Sequence, residues 1–251
     1  MVGRVARLGF NGIVRPVASH ALRMTGLPEI YGTPKPPNFG IDLTKDVIIL
    51  WVPGTSNHSI PASLLNLAQT RFSSVDIHLV NYMASWKFSE SVPNGTGNLR
   101  AVLDYLRKHL RKGQKILLAG ESQGAWVISN VLKEQQYYGM IDKAVLLGHP
   151  GVAEAHFPSD GKILELNNFD DVSTKDIEWN KKEEVARNVE KAMQLDISSL
   201  PFWLSFGVTH PEMLLWLGVL GVSKLPVVGG VIKPPHDYQK DMLLAILWLS
   251  S

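Results

Sequence analysis

A serine hydroxyl is a poor nucleophile until a neighbouring base takes its proton, so a serine that does chemistry needs a particular setting. Gly120-Glu121-Ser122-Gln123-Gly124 supplies one: small residues flank the serine at the spacing that a crowded strand-to-helix turn requires. The pattern is short, and in a chain with 21 glycines it is weak by itself. Its context carries more. Lys115-Ile-Leu-Leu-Ala119 before it reads as a strand, and Ala125-Trp-Val-Ile-Ser-Asn-Val-Leu132 after it continues as a helix. The plainer alternative is a glycine-bounded loop with a buried serine. The chemistry this setting points to is acyl transfer through a serine ester.

Such a serine needs a base, and on this kind of turn the chain order is serine, acid, histidine. Of the eight histidines, His20, His58, His78 and His109 precede Ser122. His149 and His156 follow the fourth predicted strand, too early to come after an acid on the fifth, and His210 lies in an apolar stretch. His236, in Pro234-Pro235-His236-Asp237-Tyr238, falls in a loop just before the last predicted helix, where the prolines lower the entropy lost on ordering it. Its alternative reading is a surface histidine beside a helix-capping Asp237. The acid is expected after the fifth strand, to hold the imidazole in one tautomer. Asp170 and Asp171 are adjacent there and point different ways, so only one can serve: Asp170 is the first choice, Asp171 the second, and helix capping is the other role open to both.

Two donors must meet the oxyanion. One is the backbone N–H of Gln123. The other is expected from Pro53-Gly54-Thr55-Ser56 after the first core strand, where Gly54 permits close backbone approach and Thr55 offers an N–H and a hydroxyl. An ordinary turn is the competing reading of Thr55. None of this chemistry calls for a metal or an organic cofactor.

The elements that must position these residues follow from periodicity. Val47–Val52, Val75–Val80, Lys115–Ala119, Lys143–Leu147 and Lys162–Leu166 are short apolar runs of strand length. Helices are predicted over Ala62–Thr70, 95–111, roughly 123–137 and about Asp237–Trp248. Apolar strands alternating with helices predict a central, mostly parallel sheet covered on both faces. Residues 173–232 do not fit the alternation. Ile177, Val185, Val189 and Met193 give an amphipathic helix, followed by a stretch with Phe202, Trp203, Phe206 and Trp216. A helical lid is expected there, with its aromatics forming either an apolar acyl groove or a small satellite core. Residues 1–40, ending in the Pro/Gly-rich Tyr31–Gly40, read as an N-terminal extension to a domain over 41–251.

Bulk properties exclude several classes. Hydrophobic residues at 45% and charged residues at 19% suit a folded core. A net charge of +2, with Arg107, Lys108, Arg111 and Lys112 as the one basic cluster, gives no nucleic-acid footprint. The absence of cysteine excludes disulfides, cysteine-bound zinc and a thiol nucleophile. Met1–Met24 has no unbroken apolar core of the roughly 7–15 residues a signal peptide needs. Leu200–Ile232 is interrupted by His210-Pro211-Glu212 and Lys224, short of the about 20 consecutive apolar residues of a bilayer span, so no stable transmembrane insertion is expected.

Val52-Pro-Gly-Thr55, Val80-Asn-Tyr-Met-Ala-Ser85, Ser91-Val-Pro-Asn-Gly95, Gly120-Glu-Ser-Gln-Gly-Ala125 and Phe169-Asp-Asp-Val172 together resemble the cutinase-like branch of the α/β-hydrolases, over about residues 45–172 and 233–250. Cutinases carry disulfides and signal peptides, which this chain lacks. The insertion over roughly 173–232 makes it more similar to the mycobacteriophage lysin B enzymes. That resemblance implies a serine esterase with a Ser122–His236–Asp170 triad, acting on the ester between mycolic acids and arabinogalactan late in phage lysis. It implies a monomer in the host cytoplasm that meets a lipid ester of the envelope after release, with no nucleic-acid partner. His149 stands where cutinases often have an Asp-Pro-type turn, and residues 1–40 have no counterpart in the resemblance. Rival readings are a cutinase-like or PE-PPE-like esterase on other acyl esters, and a non-catalytic virion protein that keeps the hydrolase fold.

Overall fold

In the computed structural model, the residues described are 39–150, 157–167, 238 and 241–251, with isolated positions between 184 and 205. Two units divide the chain, Met1–Phe39 and Gly40–Ser251; the described elements belong to the second. Apolar, β-branched runs form its strands: β1 (Val47–Val52), β2 (Val75–Leu79), β3 (Lys115–Glu121), β4 (Lys143–Leu147) and β5 (Ile163–Leu166). They lie in one sheet of order β2-β1-β3-β4-β5, every neighbouring pair parallel. In register, Val52 stands opposite Gly120, and Glu121 opposite Leu147.

The helices are α1 (Ala62–Arg71), α2 (Phe88–His109), α3 (Gln123–Leu132), α4 (Gln135–Tyr138) and α5 (Met242–Leu249). The pleat sends alternate strand residues to opposite faces. Val47, Ile49, Trp51, Leu117, Ala119, Val145 and Leu147 pack with Leu64 and Ala68 of α1 and with Met242, Ala245, Ile246 and Leu249 of α5. Ile48, Leu50, Val52, Ile116 and Leu118 are buried as well, on the face where α3 meets β1, β3 and β4 and packs on α2. Burial on both faces explains the unbroken apolar runs, each large side chain contributing about 1.5–3 kcal/mol. Trp51 is fully buried because its indole N–H reaches Ser59 O at 3.1 Å. At the N-terminal edge of the sheet, the Gln114 amide donates to the carbonyls of Leu43 and Lys45, and Arg111 donates to Thr44 O at 2.8 Å.

Three boundaries differ from expectation. Helix α2 begins at Phe88 rather than residue 95 and carries Pro93 within it. Its first turns bury Ser91, Val92, Gly95 and Thr96, so tertiary packing overrides the poor propensity of Pro and Gly. The single helix predicted over 123–137 is two, because Glu134 is extended (φ −87°, ψ 113°) and its carboxylate is engaged by Arg100. The last helix starts at Met242, after a turn in which Asp241 N donates to Tyr238 O at 3.0 Å. Among the described residues, no helix is long and apolar enough to cross a membrane.

Candidate active site

Strand order reverses between β1 and β3: β2 lies beyond one and β4 and β5 beyond the other. In a parallel α/β sheet, the carboxyl ends of the strands at such a switch point open a crevice. Ser122 leaves β3 at that point, and Pro53–Asn57 leaves β1 beside it.

Ser122 has φ 54° and ψ −118°, a conformation that costs a residue other than glycine about 1–3 kcal/mol. The surroundings hold it there. Ser122 N donates to Leu147 O at 2.8 Å, and Ser122 O accepts from Trp126 N at 3.1 Å, so the helix starts at once. The two glycines of the motif are required by space. A Cβ on Gly124 would lie 2.0 Å from Val52 O, and one on Gly120 would lie 2.7 Å from Ile128 Cδ1 and 2.9 Å from the Gly124 carbonyl carbon. Helix α3 therefore sits directly on the end of β1.

The loop after β1 turns back through Asn57 N to Gly54 O at 3.1 Å, and Ser56, at φ 60°, donates its N–H to Ala84 O at 2.6 Å. A Cβ on Gly54 would lie 3.5 Å from Ser122 Cβ, which measures how closely this loop passes the serine. Thr55 is half-buried, and among the described residues its N–H and hydroxyl make no hydrogen bond. Gln123, as the first residue of α3, lies where a helical N–H has no intrahelical acceptor. Ser122, Gln123, Gly54 and Thr55 are thus together at one crevice. Asp170, Asp171 and His236 lie outside the described residues. The described chain reaches Asn167 just past β5, at the sheet edge that carries Ser122.

The side chain of Gln123 has a role that the motif did not reveal. It is 1% exposed. Its Oε1 accepts from Ser91 Oγ and faces Tyr82 Oη, both at 3.1 Å, while Nε2 donates to Ser85 O at 2.9 Å. Ser91 Oγ in turn accepts from Ser85 N at 3.0 Å, and Tyr82 Oη donates to Pro53 O at 2.7 Å. Burial holds the Tyr82 phenol well above the usual tyrosine range, so it stays a donor. This brace ties the loop after β1, the loop over Val80–Lys87 and α3 to one amide. Its partners lie 32 to 41 residues from Gln123, beyond any local spacing rule.

A second pair was also missed. His149, 4% exposed and just beyond β4, has Nδ1 3.5 Å from Glu165 Oε1 on β5, and His149 N donates to Asn167 Oδ1 at 3.0 Å. Burial raises the Glu165 carboxyl above its ordinary value. In the predicted lid, Trp203 is buried and donates its Nε1–H to Asn188 O at 3.3 Å, with Phe202 edge-on at 5.0 Å. Most of the lid expected over 173–232, Phe206 and Trp216 included, lies outside the described residues. Among the described residues, no three His, Asp or Glu side chains gather as metal ligands would.

A doubly wound parallel sheet with a strained, positive-φ serine on the turn from its central strand to a helix defines an α/β-hydrolase fold. Similar solved structures include lysin B from Mycobacteriophage D29, at 18% identity, TM-score 0.46, covering 58% of this chain and 74% of that one. A Trichoderma reesei cutinase in complex with a phosphonate inhibitor is similar at 21% identity and TM-score 0.42, covering 72% and 84%. A cutinase-like protein from Cryptococcus sp. is similar at 14% identity and TM-score 0.41, covering 62% and 95%. No family model and no curated protein matches the sequence.

Proposed function

We propose that this protein is a serine esterase that hydrolyses a carboxylic ester with a lipid acyl group. The observation that carries the reading is the strained backbone of Ser122 at the sheet's switch point, with the Gly54–Thr55 loop passing beside it. Ser122 Oγ attacks the ester carbonyl while His236 takes its proton and Asp170 orients the imidazole. The N–H groups of Gln123 and Thr55, with the Thr55 hydroxyl, hold the oxyanion; the alcohol leaves with the proton from His236, and water activated by His236 then releases the acid. The motif resemblance to lysin B makes the mycolic acid–arabinogalactan ester of a mycobacterial-type envelope the substrate of this reading, met during phage lysis. The test is fluorophosphonate labelling followed by peptide mapping. Label on Ser122, with hydrolysis of p-nitrophenyl esters lost in a folded Ser122→Ala protein, is the expected result; turnover retained in that variant overturns it. Release of free mycolate from isolated envelopes tests the substrate.

A further inference from the structure

Beside the nucleophile runs a group of aromatic side chains that no step above uses. Along α3, Gln123, Gly124, Ala125, Val127 and Ile128 are buried, which leaves Ser122, Trp126 and Asn130, one turn apart, on a half-exposed strip. Helical side chains lean toward the helix N-terminus, so the Trp126 indole covers the turn that begins at Ser122. Phe88, the first residue of α2, meets the Trp126 ring with centroids 6.1 Å apart, and Trp86 meets Phe88 at 5.9 Å. All three are half-exposed, and Met83, on the same loop, is 46% exposed. The charged neighbours Lys87 and Glu90 pair with each other. The far end of the strip is fixed to the residue next to the nucleophile, because Trp86 follows Ser85, whose carbonyl the Gln123 amide holds.

We propose that the strip Trp126–Phe88–Trp86 is the surface along which a long alkyl arm of the substrate's acyl group lies, leading away from Ser122 and selecting long chains. An apolar surface one helical turn from the reacting serine, continuing for two ring-to-ring steps, fits an alkyl arm of an acyl group attached to that serine and does not fit a charged acid. Trp203, one of four aromatics that the sequence offered for the same task, is 5% exposed and donates its N–H to Asn188 O. This inference rests on the esterase reading and names its acyl side.

The experiment uses the whole chain and alkyl fluorophosphonates of ethyl, hexyl and dodecyl length, with which Ser122 Oγ displaces fluoride from phosphorus and passes its proton to the base. The dodecyl probe is expected to inactivate the native protein at least roughly tenfold faster than the ethyl probe, the weight of about two buried methylenes. Trp86→Ser should bring the dodecyl rate down to the hexyl rate, and Phe88→Ser should bring both close to the ethyl rate. A dodecyl advantage that survives both substitutions overturns the proposal. So does a parallel fall with all three probes, which marks a merely structural role. Failure of every probe, ethyl included, to label a protein with a native circular dichroism spectrum overturns the esterase reading itself.

Discussion

Replacing Gln123 by methionine keeps the side-chain length and the backbone N–H but removes the amide. Two buried groups then lose their partners: the Ser85 carbonyl, now donated to at 2.9 Å, and the Ser91 hydroxyl hydrogen, now accepted at 3.1 Å. Tyr82 keeps its 2.7 Å bond to Pro53 O and contributes little to the loss. Each orphaned group costs about 1–3 kcal/mol, less where water can reach it. Ser85 is half-buried and Ser91 fully buried, so the sum is about 2–4 kcal/mol. Ser91→Ala alone takes one of the donors from Oε1 and the acceptor from Ser85 N, about 1–2 kcal/mol. In the double variant there is no Ser91 hydroxyl left to orphan. The two losses should therefore fall short of their sum by about 1 kcal/mol, within the range seen for residues in one hydrogen-bond network. Urea unfolding of the native protein, both single variants and the double variant gives the cycle, provided the slope with denaturant is unchanged. Additivity to within about 0.3 kcal/mol, or a Gln123→Met loss below about 1 kcal/mol, would refute the brace.

Two further outcomes follow from the same geometry. Ser122→Gly should be more stable than Ser122→Ala by about 1 kcal/mol, since only glycine is at ease at φ 54°; equal melting temperatures for these two variants would show that the turn stores no strain. Glu165 has its carboxyl raised by burial, so the folded state binds that proton more tightly than the unfolded state, and the stability it contributes at low pH is lost as pH rises through the folded value. Glu165→Gln is expected to gain stability relative to the native protein at pH 7.5 and to show no such gain at pH 4; the opposite order in urea midpoints would mean that the pairing with His149 outweighs desolvation.

The parts of the fold that could be read from residues alone are those governed by one local rule. Val47–Val52 and Lys143–Leu147 are strands with the expected bounds, because strands buried on both faces need continuous apolar runs. The serine turn was legible because Gly120 and Gly124 are imposed by contacts with Ile128 and Val52 that tolerate no Cβ. What escaped depends on distant partners. The first turns of α2 are held by the bond from Ser91 to Gln123 and the close approach of Gly95 to Val127, which a local reading of Pro93, Gly95 and Gly97 cannot weigh. The second role of Gln123 and the approach of His149 to Glu165 both need the strand order, which periodicity does not encode. Trp126 left one clue: a large aromatic residue one helical turn after Ser122.

Because the five described strands run the same way, the sheet has two unlike rims. Ser122, Thr55 and the aromatic strip occupy the rim where strands end. The opposite rim, where they begin, is stitched by Gln114 and Arg111 to Leu43–Lys45. A biosensor or a protein-coated polymer could be built on this polarity. Exposed lysines near the second rim, such as Lys112 and Lys115, are natural grafting points for a solid support, and a layer coupled through them would face the Ser122 rim outward.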